Sequence, residues 1–137
     1  MKIRALLLAL VLVAFAFPAG AASPNNPKAN IQADNSNCGN PTTGAVIGFV
    51  DYHRTGDRVS FQYHLKHGKP GHTYVIQLWG DLCSFFGQGR QFTTNRNGVG
   101  NVNASFAVPH ASTRFFATAF DPAVLHWHDS LAVTLAP

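Results

Sequence analysis

The sequence predicts an all-β protein: a single-domain antiparallel β-sandwich, immunoglobulin-like, with about seven strands. Three observations carry that prediction. The chain has 11 Phe and no glutamate, a composition that favours strands and leaves few helix-forming charged positions. Period-two alternation recurs, most clearly at 58–67, where Val59, Phe61, Tyr63 and Leu65 share one face and Ser60, Gln62, His64 and Lys66 the other. Glycine- and proline-bearing turns separate these segments, from GKPGH at 68–72 to Asn97-Gly98.

The strands follow in order. Residues 45–53 (AVIGFVDYH) are apolar with one glycine interruption, and RTGD at 54–57 reads as a turn. After 58–67 and its turn, 73–80 (TYVIQLWG) points Tyr74, Ile76 and Leu78 inward. Residues 81–89 (DLCSFFGQG) are irregular and read as a loop, followed by a short strand at 90–94 and a turn ending at Gly98. Residues 101–109 alternate with Val102, Ala104, Phe106 and Val108 inward, and 113–121 is the next strand. The stretch 121–129 (DPAVLHWHD) reads as a longer connection, and 131–136 closes the domain with Leu131, Val133 and Leu135 inward. Cys38 precedes the first of these strands and Cys83 falls in a loop, so no disulfide pins the sheets across the core as in antibody domains; a jelly roll or small barrel is the alternative architecture. The order of strand, PGHTY strand, cysteine loop, strand, NG turn and strand resembles that of small exported bacterial sandwich domains, without pointing to a named family.

The first 43 residues set the expected compartment. Lys2 and Arg4 precede an unbroken apolar run at 5–17, followed by Pro18 and the small residues Ala19 to Ala22. That layout predicts a cleaved secretory signal peptide over 1–22, because the run falls short of the roughly 20 residues a membrane span needs. Residues 23–43 are rich in Asn, Pro and Ser with one large apolar residue, Ile31. They are expected to form a flexible N-terminal segment ahead of the sandwich domain at 44–137. In an exported chain two cysteines read first as a disulfide, here Cys38 to Cys83. The expectation is therefore a secreted or periplasmic monomer with no membrane span. Without residues 1–22 the formal charge falls from +4 to +2, and the remaining Lys and Arg are scattered. No clustered basic patch is left for nucleic acid.

Catalytic patterns are sparse. There is no G-x-S-x-G elbow, and the absence of glutamate weakens any paired-carboxylate chemistry. An enzyme is not the favoured reading. Histidine is the anomaly: seven imidazoles outnumber six carboxylates. In HWHD, an extended backbone puts His126 and His128 on one face, about 7 Å apart. With Asp129 they form a candidate zinc or copper site. The sequence argues against a blue-copper centre, which wants a free cysteine and usually an axial methionine, whereas Met1 is the only methionine and leaves with the expected signal peptide. Extrapolating the inward set Leu131, Val133 and Leu135 backwards gives a competing expectation: Trp127 and Asp129 toward the core, both histidines wet. Phe85, Phe86 and Trp127 are the candidate binding surface, since loop aromatics at the end of a sandwich serve recognition. The expected role is non-catalytic, binding or structural, outside the cytoplasm, with no cofactor and a protein or carbohydrate ligand. The alternative is a histidine-based zinc or copper protein using HWHD.

Overall fold

A computed structural model describes residues 26–137; the expected signal peptide lies outside them. Strands β1 (Lys28–Gln32), β2 (Val46–Thr55), β3 (Arg58–Leu65) and β4 (Thr73–Gly80) are followed by a single 3₁₀ turn at Asp81–Cys83. Then come β5 (Ser84–Thr93), β6 (Gly100–Ala107), β7 (Arg114–Asp121), β8 (His126–Asp129) and the two-residue β9 (Val133–Thr134). All pairings are antiparallel. One sheet has the order β1-β2-β3-β6; the other runs β5-β4-β7-β8, with β9 also on β7. The chain crosses between sheets after β3, β5 and β6, the Greek-key connectivity of an immunoglobulin-like sandwich. The expected fold class is the one observed.

Alternation becomes packing. Val59, Phe61, Tyr63 and Leu65 of β3 meet Tyr74, Ile76 and Leu78 of β4 and Phe115, Ala117 and Ala119 of β7 in one buried cluster. Two core tyrosines keep their hydroxyls satisfied, as burial demands. Tyr63 donates to the carbonyl of His128 at 2.6 Å, and Tyr52 shares a 2.6 Å bond with Ser130 while accepting from the Ala117 amide. At the end of β2, Arg54 points inward rather than into a turn and is 3% exposed. Its guanidinium donates to the carbonyls of Gly56, Ser112, Leu135, Pro109 and His110, and lies 5.3 Å from the Phe115 ring centroid.

Three segments depart from the sequence reading. The flexible segment expected over 23–43 is corrected in its described part, because 28–32 forms β1. Two inward residues, Ala29 and Ile31, suffice when β2 already offers an edge to pair with. Lys28 on the outer side reaches Asp51 at 3.4 Å and sits over the Phe49 ring. Further on, Gln32 and Asn35 are buried but bonded: the Thr42 amide donates to the Gln32 side-chain oxygen Oε1 at 2.8 Å, and the Asn35 side chain donates to the Asn40 carbonyl. The loop expected at 81–89 is mostly strand, since β5 begins at Ser84 and pairs along β4 through two register shifts. Those shifts break the alternation that a sequence scan needs. The connection expected over 121–129 ends in β8, so HWHD is itself a strand.

Candidate functional site

The site is built on the outer face of the β5-β4-β7-β8 sheet. Cross-strand register lays its side chains out in three rows. Phe85 and Trp79 face one another across β5 and β4, with Phe116 of β7 next to Trp79. A polar row follows: Gln88, Gln77, Thr118 and Asp129. The third row is Gln91, Val75, Phe120 and Trp127. The Trp79 and Phe85 rings meet edge-on at 4.9 Å, and Phe120 lies 4.9 Å from Trp127. Both tryptophans of the chain are therefore on this one face.

Residues 34–40 lie across part of it. The expected disulfide is formed, Cys38 to Cys83, with Cα atoms 5.3 Å apart. It fastens this strap to the β4–β5 turn. Gly39 rests directly on Phe116: a Cβ there would come within 2.8 Å of the Phe116 side chain, and φ is +68°. Only glycine accepts both conditions. The Ala132 amide donates to the Gly39 carbonyl at 2.8 Å, and Arg114 donates to the Cys38 carbonyl and Asn40 side chain, both at 3.0 Å. Under the strap is a pocket of about 250 Å³, lined by Ser36, Cys38, Trp79, Cys83, Phe116, Trp127 and Asp129.

Asp129 is the only ionisable side chain lining that pocket. It is 3% exposed. One carboxylate oxygen accepts from the Thr118 hydroxyl at 2.7 Å, the other from the Gly39 amide at 3.4 Å. Burial pushes its pKa up to about 6, against the smaller opposing effect of those two bonds. A larger, open concavity of about 910 Å³ runs over the outer side of β2, β3 and β6. Its Asp, His and Arg residues, Asp51, His53 and Arg90, are half-exposed or exposed, and its one buried ionisable residue is Tyr52. The smaller pocket is the better candidate because its one carboxylate, Asp129, is buried with a raised pKa and lies among aromatic side chains.

The proposed metal trio is not brought together. His128 turns toward the core beside Tyr74, with ring centroids 5.8 Å apart. The Asp34 amide donates to its Nδ1 at 3.0 Å, and burial lowers its pKa. His126 shares that side at the sheet edge, pairing with the Asp34 carboxylate at 3.1 Å. Asp129 faces the opposite side, toward Thr118. No group of three or more His, Cys, Asp or Glu gathers around a common point among the described residues. The competing expectation is corrected too: His128 is inward, while Trp127 and Asp129 point outward. The reason is a one-residue slip. On β7, Phe115 and Thr118 are three apart, yet their partners Val133 and Asp129 are four apart. An extra residue between β8 and β9 reverses which parity faces the core.

Of the aromatic trio, Phe85 is 52% exposed on the outer face with Trp127, whereas Phe86 packs against the core beside Phe115. Adjacent strand residues point to opposite faces, so only one of the two phenylalanines serves the surface. Sequence reasoning missed Trp79, Phe116 and Asp129's environment. The usable signal was the outward set of 73–80: Thr73, Val75, Gln77 and Trp79. A tryptophan on the nominally wet face of a strand marks a covered or recognising surface. Compared with protein-family models and with curated proteins, the chain matches none.

Asp129 gives a direct pH prediction. Because its folded pKa is raised from 3.8 to about 6, the folded state takes up this proton first as pH falls. Its contribution to stability therefore grows between pH 6 and pH 4 and is absent above both values. Removing the titration with Asp129→Asn is expected to change the stability difference from wild type by roughly 2–3 kcal/mol between pH 7 and pH 4. The variant is favoured at the higher pH. Urea unfolding of both proteins at the two pH values measures this, and a pH-independent difference would contradict it.

Proposed function

We propose that this chain is an exported, non-catalytic binding module that works outside the cytoplasm and takes a protein or carbohydrate ligand on the aromatic outer face of its β5-β4-β7-β8 sheet. The observation that carries the reading is the row arrangement there: Phe85 and Trp79 along one side, Phe120 and Trp127 along the other, amide side chains between them. Aromatic rings left half-exposed on a rigid sheet offer contact area at little entropic cost, and flanking amides give hydrogen-bond direction. Export is supported by the signal-like residues 1–22 and by a disulfide, which persists in oxidising compartments. No helix among the described residues is long and apolar enough to cross a membrane.

Since both tryptophans sit on this face, their emission reports occupancy directly. Titration with hexose and N-acetylhexosamine oligosaccharides, alongside selection from a displayed peptide library, should yield a ligand that shifts the emission saturably. Its affinity should fall about tenfold or more in Phe85→Ala, as expected when an exposed aromatic anchor is lost. A ligand that binds Phe85→Ala and Trp127→Ala as well as the wild type would place recognition elsewhere.

A further inference from the structure

We propose that the pocket under the Cys38–Cys83 strap is a cation site that takes the ammonium head group of a small organic ligand, held by the Asp129 carboxylate and the ring faces of Trp79, Trp127 and Phe116. This rests on the outer sheet face being the ligand surface, and it names the chemistry of that face's deepest point.

Size limits the guest first. A volume of about 250 Å³ lies below that of pockets built for drug-sized molecules, so it accommodates a head group rather than a whole ligand. Charge then selects it. The lining residues include one acid and no base. The two donors on Asp129, a hydroxyl and a backbone amide, are neutral, so its negative charge has no counter-ion in the pocket. The nearest basic side chain on the same face of β7, Arg114, spends its guanidinium on the Cys38 carbonyl and the Asn40 amide oxygen. A buried carboxylate without a cation is costly, and an incoming ammonium supplies the missing charge. Each carboxylate oxygen holds only one donor, which leaves acceptor capacity free for an N–H. The walls complete the selection. Two indoles and a phenyl ring are among its lining residues, and aromatic rings attract organic cations, with tryptophan the strongest of the three. The raised pKa of Asp129 fits the same account, since burial disfavours its charged form and a cation would favour it.

The full chain, secreted and processed, is titrated with choline, ethanolamine and 3,3-dimethyl-1-butanol, the uncharged isostere of choline, at pH 7.5. Tryptophan emission and calorimetry give the affinities; choline and ethanolamine separate a quaternary from a primary ammonium. At least one of the two cations is expected to bind saturably and about tenfold or more tightly than the alcohol, consistent with a desolvated cation–π site beside a carboxylate. Asp129→Asn should abolish that preference while leaving the weak binding of the alcohol unchanged. Trp127→Leu, which keeps the carboxylate and trims the ring, should also weaken the cation. Equal binding of choline and its isostere, an unchanged cation affinity in Asp129→Asn, or no binding of either cation would overturn the proposal. Phe85 does not line the pocket and touches it only through the edge of Trp79, so Phe85→Ala should weaken choline far less than Trp127→Leu does. Oligosaccharide or peptide binding that needs Phe85 in the absence of any cation binding would refute the cation site and leave the ligand face standing.

Discussion

Arg54→Met is expected to destabilise the protein by about 4 kcal/mol, enough to lower its melting temperature by roughly 15 °C. The guanidinium satisfies five carbonyls from three separate stretches of chain: Gly56 beside its own strand, Pro109, His110 and Ser112 before β7, and Leu135 near the C-terminus. Methionine fills much of the same volume but donates nothing. The buried Leu135 carbonyl and the four part-buried ones then lose their partners together, and the cost falls on the acceptors rather than on the arginine. Arg54→Lys should recover only part of the loss, because an ammonium offers three donors from one point and cannot reproduce the planar fork. Calorimetric unfolding of the two variants gives the ranking wild type, then lysine, then methionine. A methionine variant within 1 kcal/mol of wild type, about the effect of an ordinary substitution, would show that water replaces the guanidinium at little cost.

Removing the disulfide is the second large effect. Cys38 and Cys83 are 45 residues apart, and closing a loop of that length in the unfolded chain corresponds to about 4 kcal/mol in the entropic treatment. The paired substitution Cys38→Ala/Cys83→Ala is expected to lose about 3–4 kcal/mol. It should also free the strap over Phe116 and Asp129, so the tryptophan emission of the folded variant should shift to the red as the pocket rim opens. Equilibrium denaturation followed by fluorescence measures both. An unchanged emission with the expected loss of stability would mean that Gly39, Arg114 and Ala132 hold the strap without the cystine.

The residues that were legible in the sequence are those whose role is set by neighbours along their own strand. Val59 to Leu65 and Tyr74 to Leu78 alternate because each strand has one face in the core, and that pattern survives in any register. The cystine followed from a count of two and the expectation of an oxidising compartment. What escaped was decided by partners far away in the chain. Arg54 reads as a turn residue, since nothing nearby announces the carbonyls of Ser112 and Leu135. Strand β1 reads as disordered because its two apolar residues only suffice beside β2. Phe85 and Phe86 read alike until β5 pairs with β4 and sends one to each face. Trp79 reads as one more strand residue until Phe85 and Phe116 pair beside it, and the faces of HWHD follow from counting back through residues 130–132, where the count fails.

That failure of counting has an evolutionary side. Which of two adjacent chemistries β8 sets on the outer sheet face, imidazole or indole and carboxylate, depends on a single surplus residue between Asp129 and Val133. Loss of one codon there, with β9 held in place by the Leu135 anchor to Arg54, would turn β8 over and carry His126 and His128 to the outer sheet face while turning Trp127 and Asp129 toward the other sheet. A descendant could thus exchange its surface identity wholesale while keeping every one of those four side chains, and a comparison of homologues by residue type alone would miss the change.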